Sequence, residues 1–87
     1  MLGTDDQELR RYTQDVEAVK IKQLIMVDGY GDATIVPDED GVWSFQVSYE
    51  YVITNLPETG GYYLKYPDGS EGFSTEFFFD NNFEEQL

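Results

Sequence analysis

The chain has 87 residues and carries 18 acidic side chains against 5 basic ones, a formal net charge of −13 at pH 7. A chain of this length forms one small domain with little stability to spare, and its 40% hydrophobic and 16% aromatic content argues against disorder. The sequence contains neither cysteine nor histidine, which excludes disulfides, thiolate metal sites and the most common general base. We therefore expect no enzymatic activity and no bound metal or cofactor.

The first predicted element is a short helix over residues 1–15 of a single α+β domain that spans residues 1–87. Leu9, Tyr12 and Val16 recur on one face of such a helix, and acidic residues lie in its opening turn, where the helix dipole favours them.

A small antiparallel sheet of about four strands is predicted next, over residues 16–73. β-Branched residues favour a strand over residues 17–27, and a turn rich in aspartate and glycine precedes a return strand over residues 33–36. The strongest strand pattern covers residues 43–54, where aromatic and aliphatic side chains alternate with largely polar ones. A glycine pair then precedes the last predicted strand, at residues 62–66.

A closing helix is predicted over residues 74–87. Ser74 offers an N-cap and Glu76 stands in the first turn. Phe79 and Phe83 are four residues apart, so both rings can pack back onto the sheet. We expect this helix to cover the core.

The C-terminal half contains a sequence motif. Residues 60–69 read GGYYLKYPDG and are followed by Glu71, Phe73, Ser74, Phe79 and Phe83. This resembles a GGYYVxYxDGYxSxSP-like pattern in small uncharacterised proteins of tailed bacteriophages and prophages, and the resemblance covers roughly residues 16–83. It implies a phage origin and no established biochemical activity. A small accessory phage protein would be directed at a host process rather than at metabolism.

The charge is strongly polarised along the chain, because residues 28–87 contain thirteen acids and a single base, Lys65. Twelve uncompensated carboxylates match the charge of about 20 Å of duplex DNA, and a compact chain of this length has a similar width. This pattern predicts a phage-encoded acidic DNA mimic. It would bind a basic host DNA-binding protein in the bacterial cytoplasm and inhibit it by filling its DNA groove. Candidate targets are a topoisomerase, a nuclease, a polymerase or a CRISPR effector.

The predicted contact residues are acids in turns and on the last helix, which would take the place of phosphates. They are Asp28, Asp32, Asp38, Glu39, Asp40, Glu58, Asp68, Glu71, Glu76, Asp80, Glu84 and Glu85.

Several alternatives remain open at the level of sequence. The chain could be an acidic phage accessory module for protein interaction or assembly, which predicts an apolar self-association surface, and both hypotheses allow a homodimer. The charge could also serve solubility alone. Calcium binding at residues 28–32 or 38–41 and catalysis by a carboxylate pair are weaker alternatives, since neither has a specific motif. Direct nucleic-acid binding has the wrong sign of charge, and no segment has membrane-spanning length.

Overall fold

A computed structural model describes residues 9–26 and 31–85 of the chain. The described residues form six strands, two helices and a short 3-10 turn over Thr13–Asp15. The bounds are β1 Arg10–Arg11, β2 Glu17–Met26, β3 Ala33–Pro37, β4 Phe45–Val47, α1 Tyr49–Asn55, β5 Tyr62–Lys65, β6 Glu71–Ser74 and α2 Glu76–Asn82. The sheet has the order β4-β3-β2-β5-β6, with β1 paired to β2.

The ten-residue strand β2 is the centre of the sheet, and all its pairings are antiparallel. Its first residues pair with β1 along one edge and with β5 along the other, while its later residues pair with β3. The register with β3 shifts between Ile21 and Gln23. Such an irregularity bends a strand, and it lies where β2 changes from one set of neighbours to the next.

Both faces of β2 are covered over its first half, because this part contributes to two hydrophobic clusters. The first cluster consists of Val19, Ile21, Ala33, Ile35, Val47, Tyr51 and Tyr63. The second consists of Val16, Ala18, Leu64 and Phe79. Neighbouring residues of a strand point to opposite sides of the sheet, so α1 covers one face through Tyr51 and α2 covers the other through Phe79.

The helix α2 packs on the sheet through aromatic stacking. The Phe79 ring is buried and lies 3.9 Å from the Tyr62 ring, centroid to centroid, and 4.9 Å from the Phe83 ring. Tyr12 meets Phe79 edge-on at 4.7 Å. A closing helix and the packing of Phe79 and Phe83 are confirmed, but the predicted bounds of 74–87 are too wide. The helix ends at Asn82, Phe83 is its extended C-cap, and Thr75 rather than Ser74 is the N-cap and accepts a hydrogen bond from Phe78 N.

The predicted N-terminal helix is wrong over the part that the structure describes; residues 1–8 lie outside it. Arg10 and Arg11 form β1 instead, because Ala18 and Glu17 offer them a free strand edge. Tyr12 forms an isolated bridge with Glu85, so the chain here joins the sheet rather than standing apart as a helix.

The prediction of one long strand over residues 43–54 is also wrong, since only β4 is extended and α1 follows it at once. Ser48 explains the change, because its side chain accepts a hydrogen bond from Tyr51 N at 3.1 Å and so caps the helix. The helical turn also buries Tyr51, whose hydroxyl donates to Gly72 O at 2.7 Å.

About four strands were predicted and the described residues form six, but the three other predicted strands are confirmed to within one residue at each end. The strand predicted over residues 17–27 corresponds to β2, with Val27 outside the described residues, and those over 33–36 and 62–66 correspond to β3 and β5. The short strand β6 was not predicted, because a four-residue segment with a central glycine gives little periodicity. The α+β class is confirmed. Neither helix in the described parts of the chain has the length and apolarity that a membrane span requires.

Substitution of Ser48 by alanine tests the helix start. We expect Ser48→Ala to lower the free energy of unfolding by about 1 kcal/mol, because Tyr51 N would lose its capping acceptor. Chemical denaturation measures the change. Ser44→Ala, at an exposed serine before β4, is the matched control and should change stability by no more than about 0.5 kcal/mol. Equal stabilities of the two variants would contradict the cap.

Because two tyrosines are buried, we expect the free energy of unfolding to fall at alkaline pH. Burial raises the pKa of Tyr51 above the ordinary value of 10.0. Burial and a hydrogen bond to the Glu71 carboxylate raise the pKa of Tyr63 in the same direction. Because the folded state holds these protons more tightly than the unfolded state, their contribution is complete below about pH 10 and is lost as the pH rises further.

The measurement is a set of thermal melts between about pH 8 and pH 11. The melting temperature of the wild type should fall steeply above about pH 10, and Tyr51→Phe should show a shallower fall because phenylalanine cannot ionise. Melting temperatures at pH 8 supply the baseline for the lost hydroxyl. Parallel pH profiles of the two proteins would refute this explanation.

Candidate protein-interaction surface

The predicted contact acids are not a free anionic array, because the molecule itself uses many of them. At least six of the twelve accept hydrogen bonds or ion pairs within the chain, namely Asp32, Glu39, Asp68, Glu71, Glu76 and Glu85. Asp38, Asp40, Glu58, Asp80 and Glu84 are exposed, and Asp28 lies outside the described residues. Whether any of these acids contacts a partner stays a prediction.

Arg10 joins two distant acids. Its Nε lies 3.0 Å from Glu39 Oε2 and its Nη1 lies 2.8 Å from Glu85 Oε2. Hydrogen bonds to Glu85, which has the larger effect, and to Glu39 raise the pKa of the Arg10 guanidinium. Arg10 therefore links the densest acidic turn of the sequence, residues 38–40, to the C-terminal segment.

Lys20 and Ser70 hold two further acids. Lys20 Nζ lies 2.6 Å from Glu76 Oε2, which connects the centre of β2 to the first turn of α2. Ser70 donates to Asp68 Oδ1 from its hydroxyl at 2.7 Å and from its backbone at 2.9 Å, and these bonds lower the pKa of the Asp68 carboxyl. Glu76 therefore helps to hold α2 on the sheet, and Asp68 stabilises its own turn.

The described residues show no cluster of metal ligands, and they form a cleft of mixed charge. Within residues 9–26 and 31–85, no three acidic side chains gather so that they could hold a metal ion. An open cleft of about 430 Å³ is lined by Arg11, Asp15, Glu17, Lys65, Tyr66, Pro67 and Gly69. Its two bases lie beside two acids, so the cleft has no strong preference for either sign of charge.

The surface feature that the sequence reading missed is apolar. Three side chains of α1 and its C-cap, Tyr49, Ile53 and Leu56, are 51%, 52% and 69% exposed. They recur at i, i+4 and i+7, so at ~100° per residue they occupy one narrow arc of the helix, roughly opposite the buried Tyr51. We call this set the α1 stripe. Its helical spacing is present in the sequence, but the stronger alternation with period two concealed it.

Tyr49 is fixed at one end of the α1 stripe by its neighbours. Its backbone nitrogen donates to Asp32 Oδ1 at 2.9 Å, and its ring covers Gly31. A β-carbon at Gly31 would overlap Tyr49 Cδ1, so only glycine leaves room for the ring in this position. Gly31 therefore fixes the position of the Tyr49 ring, although this ring remains half exposed.

Leu56 stands at the other end of the α1 stripe in an unfavourable backbone conformation. It has φ 48° and ψ 56°, in the left-handed region, and its backbone nitrogen closes the helix by donating to Val52 O at 2.8 Å. Glycine is the usual residue here, because a β-carbon costs about 1–2 kcal/mol in this region. A bulky leucine that is also 69% exposed gains little burial in return.

Comparisons with known proteins identify a fold relative. No protein-family model matches the chain, and neither does any curated protein sequence. Among solved structures, the fold matches the NMR solution structure of the monomeric form of the phage L decoration protein, with a TM-score of 0.63 and 20% sequence identity. The match covers 95% of this chain, which spans 64% of the length of the decoration protein. At this identity the likeness shows a shared fold.

This likeness corrects the functional prediction. The prediction of a DNA mimic that inhibits a host enzyme is wrong, because the chain shares its fold with a phage decoration protein. The alternative prediction, a phage accessory or assembly module, fits the finding better. The phage resemblance of the sequence motif agrees with it as well.

Substitution of Leu56 by glycine tests the strain at the C-cap. We expect Leu56→Gly to raise the free energy of unfolding by up to about 1 kcal/mol, because glycine adopts the left-handed region without steric cost. Urea denaturation measures the change. Ile53→Gly, inside α1, is the control and should lower stability by about 1 kcal/mol. Destabilisation by Leu56→Gly would show that the leucine side chain packs against the domain.

Proposed function

We propose that this chain is a phage accessory structural protein that attaches to a phage particle or to one of its assembly intermediates by protein–protein contacts, as a decoration module does. The observation that supports it most directly is the fold match to the phage L decoration protein over 95% of the chain. The GGYYLKYPDG segment at residues 60–69, which resembles phage sequences, supports the same assignment.

The surface supports a binding role. Large exposed apolar side chains that cluster on one element are typical of protein interaction sites, and the α1 stripe has three of them. The chain lacks histidine and cysteine, which are the commonest general base and a common nucleophile. We infer that the protein acts by occupying a surface rather than by catalysing a reaction.

The small core fits attachment to a larger body. A domain of this size has few kcal/mol to spare, and its net charge of −13 adds self-repulsion. A partner that binds only the folded state raises the apparent stability by mass action. Attachment to a particle would thus stabilise the accessory protein, while the bound protein adds contacts across the particle surface.

Co-sedimentation with particles of the encoding phage tests this function. Particles are prepared from a phage in which the gene is deleted, and purified protein is added back at increasing concentration. We expect saturable binding at a fixed number of copies per particle, and the protein should also be present in wild-type particles by mass spectrometry. Bovine serum albumin is the control for trapping. The proposal would be refuted if the protein were absent from wild-type particles and also failed to bind particles of the gene-deleted phage.

A further inference from the structure

A further exposed apolar side chain lies at the end of the sheet. Met26, the last described residue of β2, pairs with Ala33 and is 49% exposed. Ala33 follows Asp32, the residue that accepts the hydrogen bond from Tyr49 N. The backbone register thus places Met26 opposite the residue that follows Asp32, the hydrogen-bond partner of Tyr49.

The charged residues that lie next to the α1 stripe in the sequence are all acidic. Asp32 lies at the Tyr49 end, Glu50 projects from α1 itself, and Glu58 follows Leu56 by two residues. Residues 28–64 contain no lysine or arginine. The apolar side chains are therefore flanked by negative charge that no base in this part of the sequence neutralises.

The negative charge beside the α1 stripe distinguishes between two possible binding partners, a second copy of this chain and a different protein with a basic surface. In a symmetric dimer the same patch meets itself, so the acids beside the α1 stripe would face their own copies, and like charges juxtaposed across an interface are strongly unfavourable. A partner with an apolar groove rimmed by lysine and arginine would instead gain both burial of the stripe and charge complementarity.

The exposed rings of α2 are a weaker candidate for the same role. Phe78 and Phe83 contact each other with ring centroids 6.4 Å apart, and Phe83 stacks on the buried Phe79, so these rings partly complete the second core cluster. Phe77 is 80% exposed, and it lies on a different helix from the stripe. It is a suitable control position.

On the basis of the proposed function, we propose that the α1 stripe is the face that docks on the particle, and that its receptor is a protein groove with an apolar floor and a basic rim. The strained Leu56 is retained because its side chain enters that groove. Tyr49, seated on Gly31, supplies an aromatic anchor, a residue type enriched among the energetic centres of interfaces.

The test compares binding of four proteins to particles from the gene-deleted phage: the wild type, Ile53→Ser, Leu56→Gly and the control Phe77→Ser. We expect about tenfold or greater loss of affinity for the two stripe variants and less than about twofold for the control. Circular dichroism and melting curves verify folding. Leu56→Gly is decisive here, because a variant that folds at least as stably and yet binds less cannot be explained by unfolding.

Ionic strength and self-association complete the design. Wild-type binding should weaken as salt is raised from about 0.05 M to 0.3 M, since a basic rim meeting acids is screened. Sedimentation velocity should give the same oligomeric state for the wild type and for Ile53→Ser. Binding that does not change with salt would overturn the proposal of a basic rim. Self-association that requires Ile53 would show that the α1 stripe binds a second copy of this chain, and it would overturn the proposed receptor.

The outcomes separate the two proposals. Failure of the wild type to bind particles overturns the proposed function and this inference together. Normal binding by Ile53→Ser and Leu56→Gly, with a wild type that binds, overturns only the docking face. A loss confined to Phe77→Ser would place the contact on α2 and also overturn it.

Discussion

The burial of the first half of β2 on both faces is the constraint on which the rest of the structure depends. Val19 and Ile21 point into one cluster, Ala18 belongs to the other, and all three are almost completely buried. A strand buried on both sides needs a cover on each, so the sheet requires both α1 and α2. Burial of a valine or isoleucine side chain contributes about 1.5–3 kcal/mol, which is a large share of the stability of so small a domain. Each helix is therefore essential to the fold.

The elements that could be predicted from sequence are those in which one physical preference dominates. β2 and β3 follow from β-branched residues, and α2 follows from the spacing of Phe79 and Phe83. The segment from residue 43 onward satisfies two periods at once, and alternation in sequence could not reveal that Ser48 caps a helix or that the Tyr51 hydroxyl reaches Gly72 O. These are long-range or local hydrogen bonds that hydrophobic patterning does not record. The N-terminal prediction failed for a similar reason, because the strand edge that Arg10 and Arg11 occupy exists only in the folded sheet.

The candidate surface was predictable in one respect and hidden in another. Reading the acids as surface residues was sound, yet composition could not show that Arg10 ties Glu39 to Glu85 or that Lys20 ties Glu76 to β2. Few bases in a strongly acidic chain are enough to fix the positions of particular acids. Net charge describes solubility and the sign of a partner, and it does not specify a fold or a function. The apolar stripe depends on the helical state of residues 49–55, so it could not be identified while that segment was read as a strand.

The two ends of the α1 stripe share a property that argues for its use in binding. Leu56 occupies a backbone conformation that suits glycine, and Gly31 is required so that the Tyr49 ring can lie where it does. At both ends a large apolar side chain remains exposed, and at Leu56 the domain also accepts backbone strain that glycine would avoid. Local rules that a marginal domain breaks without a gain in its own stability are expected at functional sites. The coincidence of strain, exposure and regular spacing on one short helix is therefore better explained by a partner that buries these side chains than by the needs of the isolated fold.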